Sequence, residues 1–333
     1  MLIVKNITKQ REFRTFLFLL VLFVSVGMVN VDYLSLENLH NSLQSSLLYI
    51  VLSIGMTFVL LTGRIDISVG GILGLSAAVS GIYLRDGGSI VIAVIIAILV
   101  GGFVGLLNGL GTTKLKIPSF IMTLGMLEIT RVIQVIYTEG LWVENLPVSF
   151  KNISQMEIFG INLLALIVIT CVILIHLYLS KTKKGRYFKA IGDNEDGAVL
   201  LGIHVKRYVI ISFVVSGVCS AVAGLIFASQ IGFVSTTAGS GIEMTVIAAT
   251  VLGGVSLSGG IGSVIGAGIG AIIITSINSA LVFMKVPAFW NDAISGSLLI
   301  IIVVFDALIA RRDAKKAKKE RLNARVLQEE VSA

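Results

Sequence analysis

Charge is scarce in this 333-residue sequence: Asp, Glu, Lys and Arg make up 14% of it, against 56% hydrophobic residues. A soluble domain of this size needs charge all over its surface, yet Tyr208 to Ile242 and Met244 to Met284 contain none of these four residues. With a mean hydropathy of +0.97, a water-soluble chain is excluded and an integral membrane protein remains. Cysteine is equally sparse. Cys171 and Cys219 lie in apolar runs, spaced for neither zinc nor a redox pair, and read as small packing residues. Three prolines leave little room for broken segments, while 35 glycines favour close approach between helices. No glycine is followed by lysine, so the phosphate-cradling GxxxxGK[ST] loop is excluded. The GxSG motif of an intramembrane serine protease is missing too, and His40, His176 and His204 have no partner at metal-ligand spacing.

What is present is a series of apolar runs. A spanning helix needs roughly 20 mostly apolar residues, and about ten such runs can be marked. They lie near Thr15 to Val31, Ser46 to Gly63, Ile67 to Leu84, Ser89 to Gly111, Ile117 to Tyr137, Ile158 to Ser180, Tyr208 to Gln230, Glu243 to Leu257, Gly262 to Met284 and Ala293 to Ala310. With the N-terminus inside, all but four of the 26 Lys and Arg residues fall in inside loops or termini. The four are Arg85, Lys151 and Lys285 in outside loops and Arg131 within a span. The expected organisation is all-α: a basic cytoplasmic N-terminus (1–14), a polytopic transmembrane bundle (15–310) and a basic cytoplasmic tail (311–333). The first run reads as a retained helix, since no small-x-small cleavage site precedes Asp32. The net charge of +7 serves topology and anionic lipid, and no nucleic acid is expected.

The longest inside loop, 181–207, reads KTKKGRYFKAIGDNEDGAVLLGIHVKR. Asp193 or Asn194 is placed to cap a helical turn, Glu195 and Asp196 suit its positive N-terminus, and Gly202 is placed to end it. Val199, Leu200 and Leu201 then present apolar side chains at the membrane surface, as a docking knob for a partner or an interfacial helix on lipid. Glu128 and Arg131, three apart on one helix face, form a candidate intramembrane ion pair, with Arg131 also able to snorkel. Two short hairpins, Thr62 to Gly71 and Gly253 to Gly262, carry Asp66, Ser68, Ser256 and Ser258 on flexible backbone, suited to a constriction around a polar solute. Glycines at four-residue spacing (Gly70 and Gly74; Gly101, Gly105 and Gly109; Gly262, Gly266 and Gly270) mark strips for helix packing within the chain.

In the 181–207 loop, Gly185, Arg186, Ala190 to Gly192, Asn194, Glu195, Ala198, Gly202 and Ile203 resemble the coupling-loop signature of permease subunits in the ribose, xylose and galactose branch of bacterial ABC importers. The segments TGRIDISVGGILGLSAAV (Thr62 to Val79), NGLGTTKLKIPSFIMTLGM (Asn108 to Met126) and AATVLGGVSLSGGIGSVIGAGIGA (Ala248 to Ala271) resemble the same family in the same order. The chain departs from it at Arg64, where the family usually has glycine. The resemblance implies an inner-membrane permease with both termini cytoplasmic, paired with a second copy or paralogue. It also implies a cytosolic ABC ATPase, holding ATP and magnesium on its own chain, and an extracytoplasmic sugar-binding protein. It makes Gly185, Arg186, Gly192, Asn194, Glu195, Ala198, Leu200, Leu201 and Gly202 the ATPase-coupling residues. Arg64, Asp66, Ser68, Asn108, Ser256 and Ser258 become candidates for the path or gate. No cofactor, metal or catalytic residue is expected in this chain. The rival expectation is an ion-coupled secondary transporter with Asp66 or Glu128 as the coupling carboxylate; a non-transporting scaffold or channel would not need the capped apolar turn.

Overall fold

The structure, a computed structural model, describes residues 11–287 except Phe159, and scattered positions between 290 and 304. The tenth run, the N-terminal ten residues and the basic tail lie largely or wholly outside the described residues. Twelve helices are assigned among the described residues: α1 Arg11–Val29, α2 Leu36–Leu61, α3 Val69–Arg85, α4 Ile90–Thr113, α5 Ser119–Tyr137, α6 Val148–Lys151, α7 Leu163–Lys181, α8 Lys183–Asp193, α9 Glu195–Leu200, α10 Val205–Ile231, α11 Ile242–Leu252 and α12 Val264–Phe283. Six of them (α2, α4, α5, α7, α10 and α12) are long and apolar enough to cross a bilayer. Three further runs correspond to the shorter apolar stretches Thr15–Val29, Val69–Arg85 and Ile242–Leu252.

Several boundaries differ from expectation, for local reasons. The sixth run does not start at Ile158: Glu157–Ile158 and Ile161–Asn162 pair as a two-stranded antiparallel hairpin, and the helix begins only where Asn162 caps it by accepting from the Ala165 N–H at 3.2 Å. The second begins ten residues earlier than its apolar core, capped by Ser35, whose hydroxyl accepts from the Asn38 N–H. The seventh begins at Val205, drawing Lys206 and Arg207 into its first turn, and Gly232 ends it in the left-handed conformation at φ 87°. The eighth stops at Leu252, and residues 253–263 form a non-helical hairpin before Ser263 caps α12.

The core is assembled by glycine contacts, and every expected glycine strip packs within the chain. Gly101, Gly105 and Gly109 of α4 lie against the α10 backbone at Gly217, Phe213 and Ile210, and α10 also packs extensively on α2 and α3. Gly70 and Gly74 of α3 lie under the carbonyls of Gly239 and Ala238, and Gly266 and Gly270 of α12 lie against Gly253 and Ala249. Gly262 is the exception to its strip: it sits in the hairpin, facing Val255. Helices approaching this closely gain dispersion contacts that lipid cannot replace.

Between α2 and α3 the helix breaks inside the bundle. Backbone groups freed by such a break must find partners within protein. The Ile67 N–H donates to Thr123 Oγ1 (3.0 Å) and the Ile65 N–H to Ser119 Oγ (3.4 Å), both on α5. The Leu61 carbonyl accepts from the Gly260 N–H at 3.1 Å. Asp66, with no exposed surface, accepts from the Ser68 N–H (3.0 Å) and hydroxyl (2.6 Å) on one oxygen and from the Ser216 hydroxyl (2.8 Å) on the other. Asn108 Nδ2 donates in turn to Ser68 Oγ at 2.8 Å. One carboxylate therefore ties the break to α4 and α10.

Two outcomes are expected in thermal unfolding of the detergent-purified chain. Asp66→Ala leaves the Ser68 and Ser216 donors unpaired in the core, at about 1–3 kcal/mol for each group, whereas Asp86→Ala on the exposed loop after α3 changes stability by no more than about 0.5 kcal/mol. An Asp66→Ala midpoint equal to that of Asp86→Ala contradicts the structural role. Gly105→Val drives a side chain into the Phe213 carbonyl and costs roughly 1–3 kcal/mol or more. Gly102→Val, whose Cβ would meet a Val218 methyl at an ordinary 3.5 Å, is tolerated.

Candidate functional site

The expected coupling loop folds as two helices and not as one capped turn. Thr182 caps α8 by accepting from the Gly185 N–H at 3.0 Å. Asp193 closes α8, and Asn194 takes the N-cap of α9, accepting from the Gly197 N–H at 2.9 Å. Glu195 and Asp196 occupy the first turn of α9, and Gly202 ends it with φ 75°. Within this unit Phe188, Ile191, Ala198 and Ile203 are buried against the bundle. Val199, Leu200 and Leu201 point away from it, Leu200 being 89% and Leu201 80% exposed. This division decides the element's character: one face is anchored in the core, while the other is an apolar tip that none of the described residues covers.

The anchoring is backbone against backbone. A Cβ on Gly185 would strike the Tyr178 carbonyl, and one on Gly192 would strike the Leu61 carbonyl and the Gly259–Gly260 backbone. A Cβ on Gly259 would come within 2.9 Å of both Gly192 and the Gly63 Cα. The two hairpins named from sequence thus meet each other and α8 at one point. Arg64 closes the assembly from outside: Nη2 donates to Glu195 Oε2 at 2.9 Å and Nη1 to the Thr62 carbonyl at 2.5 Å. The cation that departs from the family pattern is therefore paired with a coupling-loop carboxylate. Arg186 is exposed on α8, its N–H donating to the Thr182 carbonyl at 3.2 Å.

A cavity of about 450 Å³ opens at this junction, lined by residues that include Arg64, Lys116, Ser119, Gly192, Glu195 and Ser258. Of the path candidates, Arg64 and Ser258 line it. Asp66, Ser68 and Asn108 are buried without exposed surface in the network under the helix break, and Ser256 is 5% exposed within its hairpin. The first three act as structural fasteners in this conformation and not as cavity lining.

The Glu128–Arg131 pair is present at 3.1 Å but incomplete as expected. Arg131, 30% exposed at its side chain, is held by more than Glu128. Its second nitrogen reaches across to Glu243 of α11 at 3.0 Å, giving a cluster of two carboxylates and one guanidinium. Glu243 is 7% exposed at its side chain, and Glu128 is 63% exposed. Sequence reading missed Glu243, although it is the single charged residue between Arg207 and Lys285. Ser216, Ser119 and Thr123 were missed as well, since nothing local marks a hydroxyl that serves a break 54 to 150 residues away. No group of three or more metal-ligating side chains occurs among the described residues.

Residues 38–303 match a family model described as a branched-chain amino acid transport system / permease component. An autoinducer 2 import system permease protein, LsrC, from Escherichia coli O9:H4 (strain HS) is 41% identical over 302 residues, covering 91% of this chain and 88% of that protein. Proteins of the same name from Yersinia enterocolitica serotype O:8 and Photorhabdus laumondii are each 40% identical, covering 96% and 98% of this chain and 89% and 98% of their own. No solved structure matches. The family match over most of the chain, the relatives and the apolar helices agree, and the chain belongs to the ABC importer permease family, as a membrane transport subunit and not an enzyme.

Proposed function

We propose that this protein is the pore-forming subunit of an ATP-driven importer for a small, neutral, polyhydroxylated solute. Its α8–α9 unit is the socket for a cytosolic ABC ATPase. The observation that carries the reading is the Val199–Leu201 tip on an element whose other face is locked to the helix break by Gly192 and Glu195. An exposed apolar tip on a stiff, capped turn needs a partner to cover it, and a coupling element must transmit displacement without flexing. The sugar-like solute class is supported by the relatives named for autoinducer 2 import and by the sugar-branch motifs. Autoinducer 2 and ribose are the first two solutes to test.

In this reading a second permease copy or paralogue completes the pore, and an extracytoplasmic binding protein delivers the solute and carries most of the selectivity. The basic loops and termini, including 1–14 and 311–333, lie in the cytoplasm, by the excess of Lys and Arg on that side. ATP and magnesium belong to the ATPase. Tilting of α8 would be felt first at Gly63, Arg64, Ser258 and Gly259, because these share the junction, which makes the two hairpins, with Ser256 inside the second, the inner gate. The ion-coupled alternative gains nothing at Asp66, which already accepts three hydrogen bonds in a closed network.

Two experiments test this. Leu200→Asp or Leu201→Asp is expected to abolish co-purification of a co-expressed partner ABC ATPase, while membrane insertion and the thermal midpoint of the isolated chain stay unchanged. Undiminished co-purification refutes the socket. In proteoliposomes, uptake of labelled ribose or autoinducer 2 by the complex with its binding protein is expected to require ATP and to persist when ion gradients are collapsed. Uptake driven by a proton or sodium gradient without ATP would falsify the assignment of the energy source.

A further inference from the structure

The exposed faces of the long helices differ in one respect. Around α4 the outward residues include Val91, Ile92, Ile95, Leu99 and Phe103, and around α7 they include Leu166, Ile167, Ile169, Ile173 and Leu174, with Thr170 satisfied by the Leu166 carbonyl of its own helix; both faces are uncharged and suited to acyl chains. The outward face of α5 carries Phe120, Leu124 and Val135 but is interrupted by Glu128, which is the tenth of its nineteen residues. At 1.5 Å per residue that is roughly 14 Å from either end of the helix, the depth at which a charge facing hydrocarbon is most costly. Glu128 is nevertheless 63% exposed, and Arg131 30%.

The charges in the cluster do not cancel. Two carboxylates face one guanidinium, and Arg131 is already engaged by both, at 3.1 and 3.0 Å. Glu243, almost fully buried, keeps its Oε2 without a hydrogen-bond partner, at the place where a Cβ on Gly70 would collide with it. Arg131 Nε is likewise without a partner, but two carboxylates against one guanidinium still leave a formal excess of one negative charge, and its outward-facing member, Glu128, lies at mid-depth. Lipid cannot satisfy it. Water can, and so can the hydroxyl donors of a passing solute.

We propose that the α5–α11 face around Glu128 and Arg131 borders a water-filled solute passage. Its uncompensated negative charge passes neutral polyols, with Glu128 accepting their hydroxyls, and turns away anions such as phosphorylated sugars. Glu243 is a positioning residue here, holding the guanidinium so that Glu128 stays outward. This deepens the reading above, on which it rests for the existence of a solute path through the chain.

The test uses the permease–ATPase complex in membrane vesicles, in a Cys171→Ala, Cys219→Ala background. Leu124→Cys, one helical turn from Glu128, and Met244→Cys, next to Glu243 and 40% exposed, report the face. Asp86→Cys on the loop after α3 serves as the aqueous control and Leu99→Cys on the α4 face as the lipid control. Each is treated with methanethiosulfonates bearing either a trimethylammonium or a sulfonate group. Both face positions are expected to react and Leu99→Cys not to. The cation-to-anion rate ratio at Leu124→Cys should exceed that at Asp86→Cys, and adding Glu128→Gln should lower it by roughly threefold to tenfold, the effect of one charge about a turn away in a largely aqueous setting. Three results overturn the proposal: no reaction at either face position while Asp86→Cys reacts; a disulfide between Leu124→Cys residues of two copies, which marks a dry seam; or a ratio that Glu128→Gln does not move. These rates do not depend on what is carried. A wild-type complex that takes up none of ribose, xylose, galactose or autoinducer 2 defeats the solute class proposed above and leaves this readout intact.

Discussion

The centre of the bundle is arranged around the need to satisfy a broken backbone at Asp66 to Val69, where water is excluded. Between Leu61 and Val69 the chain leaves helical geometry: Gly63 is exposed and Arg64 and Ile65 are half-buried, but Asp66 to Val69 are buried, so the amides and carbonyls freed there have to be met by protein. The partners come from all sides: Ser119 and Thr123 on α5, Asn108 on α4, Ser216 on α10 and Gly260 of the 253–263 hairpin. Asp66 is the centre of this arrangement because a carboxylate has acceptor capacity enough for three donors at once. A helix break fastened in this way also fixes the relative placement of the helices that fasten it.

The same point carries the mechanical link to the membrane surface. Gly63, Gly192 and Gly259 meet backbone to backbone, which is available only where no side chain intervenes. The α8 helix is therefore seated on the break itself and not on side chains, so that in the proposed coupling role a tilt of α8 would be passed to both hairpins. Arg64 gives this seat a charged fastening to Glu195 in place of the family's glycine. Exposed pairs of this kind contribute roughly 0.2–1 kcal/mol, so the ion pair orients the seat more than it stabilises it.

The Glu128–Arg131–Glu243 cluster follows a different rule. It is not needed to satisfy the break, and it places charge on an outward face in the middle of a span. Outward-facing charge elsewhere on the described long helices sits near their ends, as at Glu37 and Lys206, so a carboxylate exposed at the middle of a span points to a use for water there. The glycines Gly70 and Gly74 beneath the 238–243 segment let α3 come close enough for Glu243 to be held in position.

Composition, charge distribution and apolar run length were enough to establish a polytopic helical membrane protein, because the bilayer imposes its length and polarity on each segment independently of the others. Local chemistry was readable for the same reason. The Asn194 cap, the Gly202 stop, the exposed Leu200 and Leu201 and the Glu128–Arg131 contact all depend on residues within a few positions of one another. Helix ends were less legible: the hairpin before α7 and the stop after Leu252 are set by pairing and by contacts with other elements, not by hydropathy. Only the tertiary structure decided that Asp66, Ser68 and Asn108 close a buried network in place of lining the cavity, that Arg64 finds Glu195 and that Arg131 finds Glu243. These partners are separated by 40 to 150 residues, and a hydroxyl or carboxylate in an apolar run reveals that it must be satisfied without revealing by what.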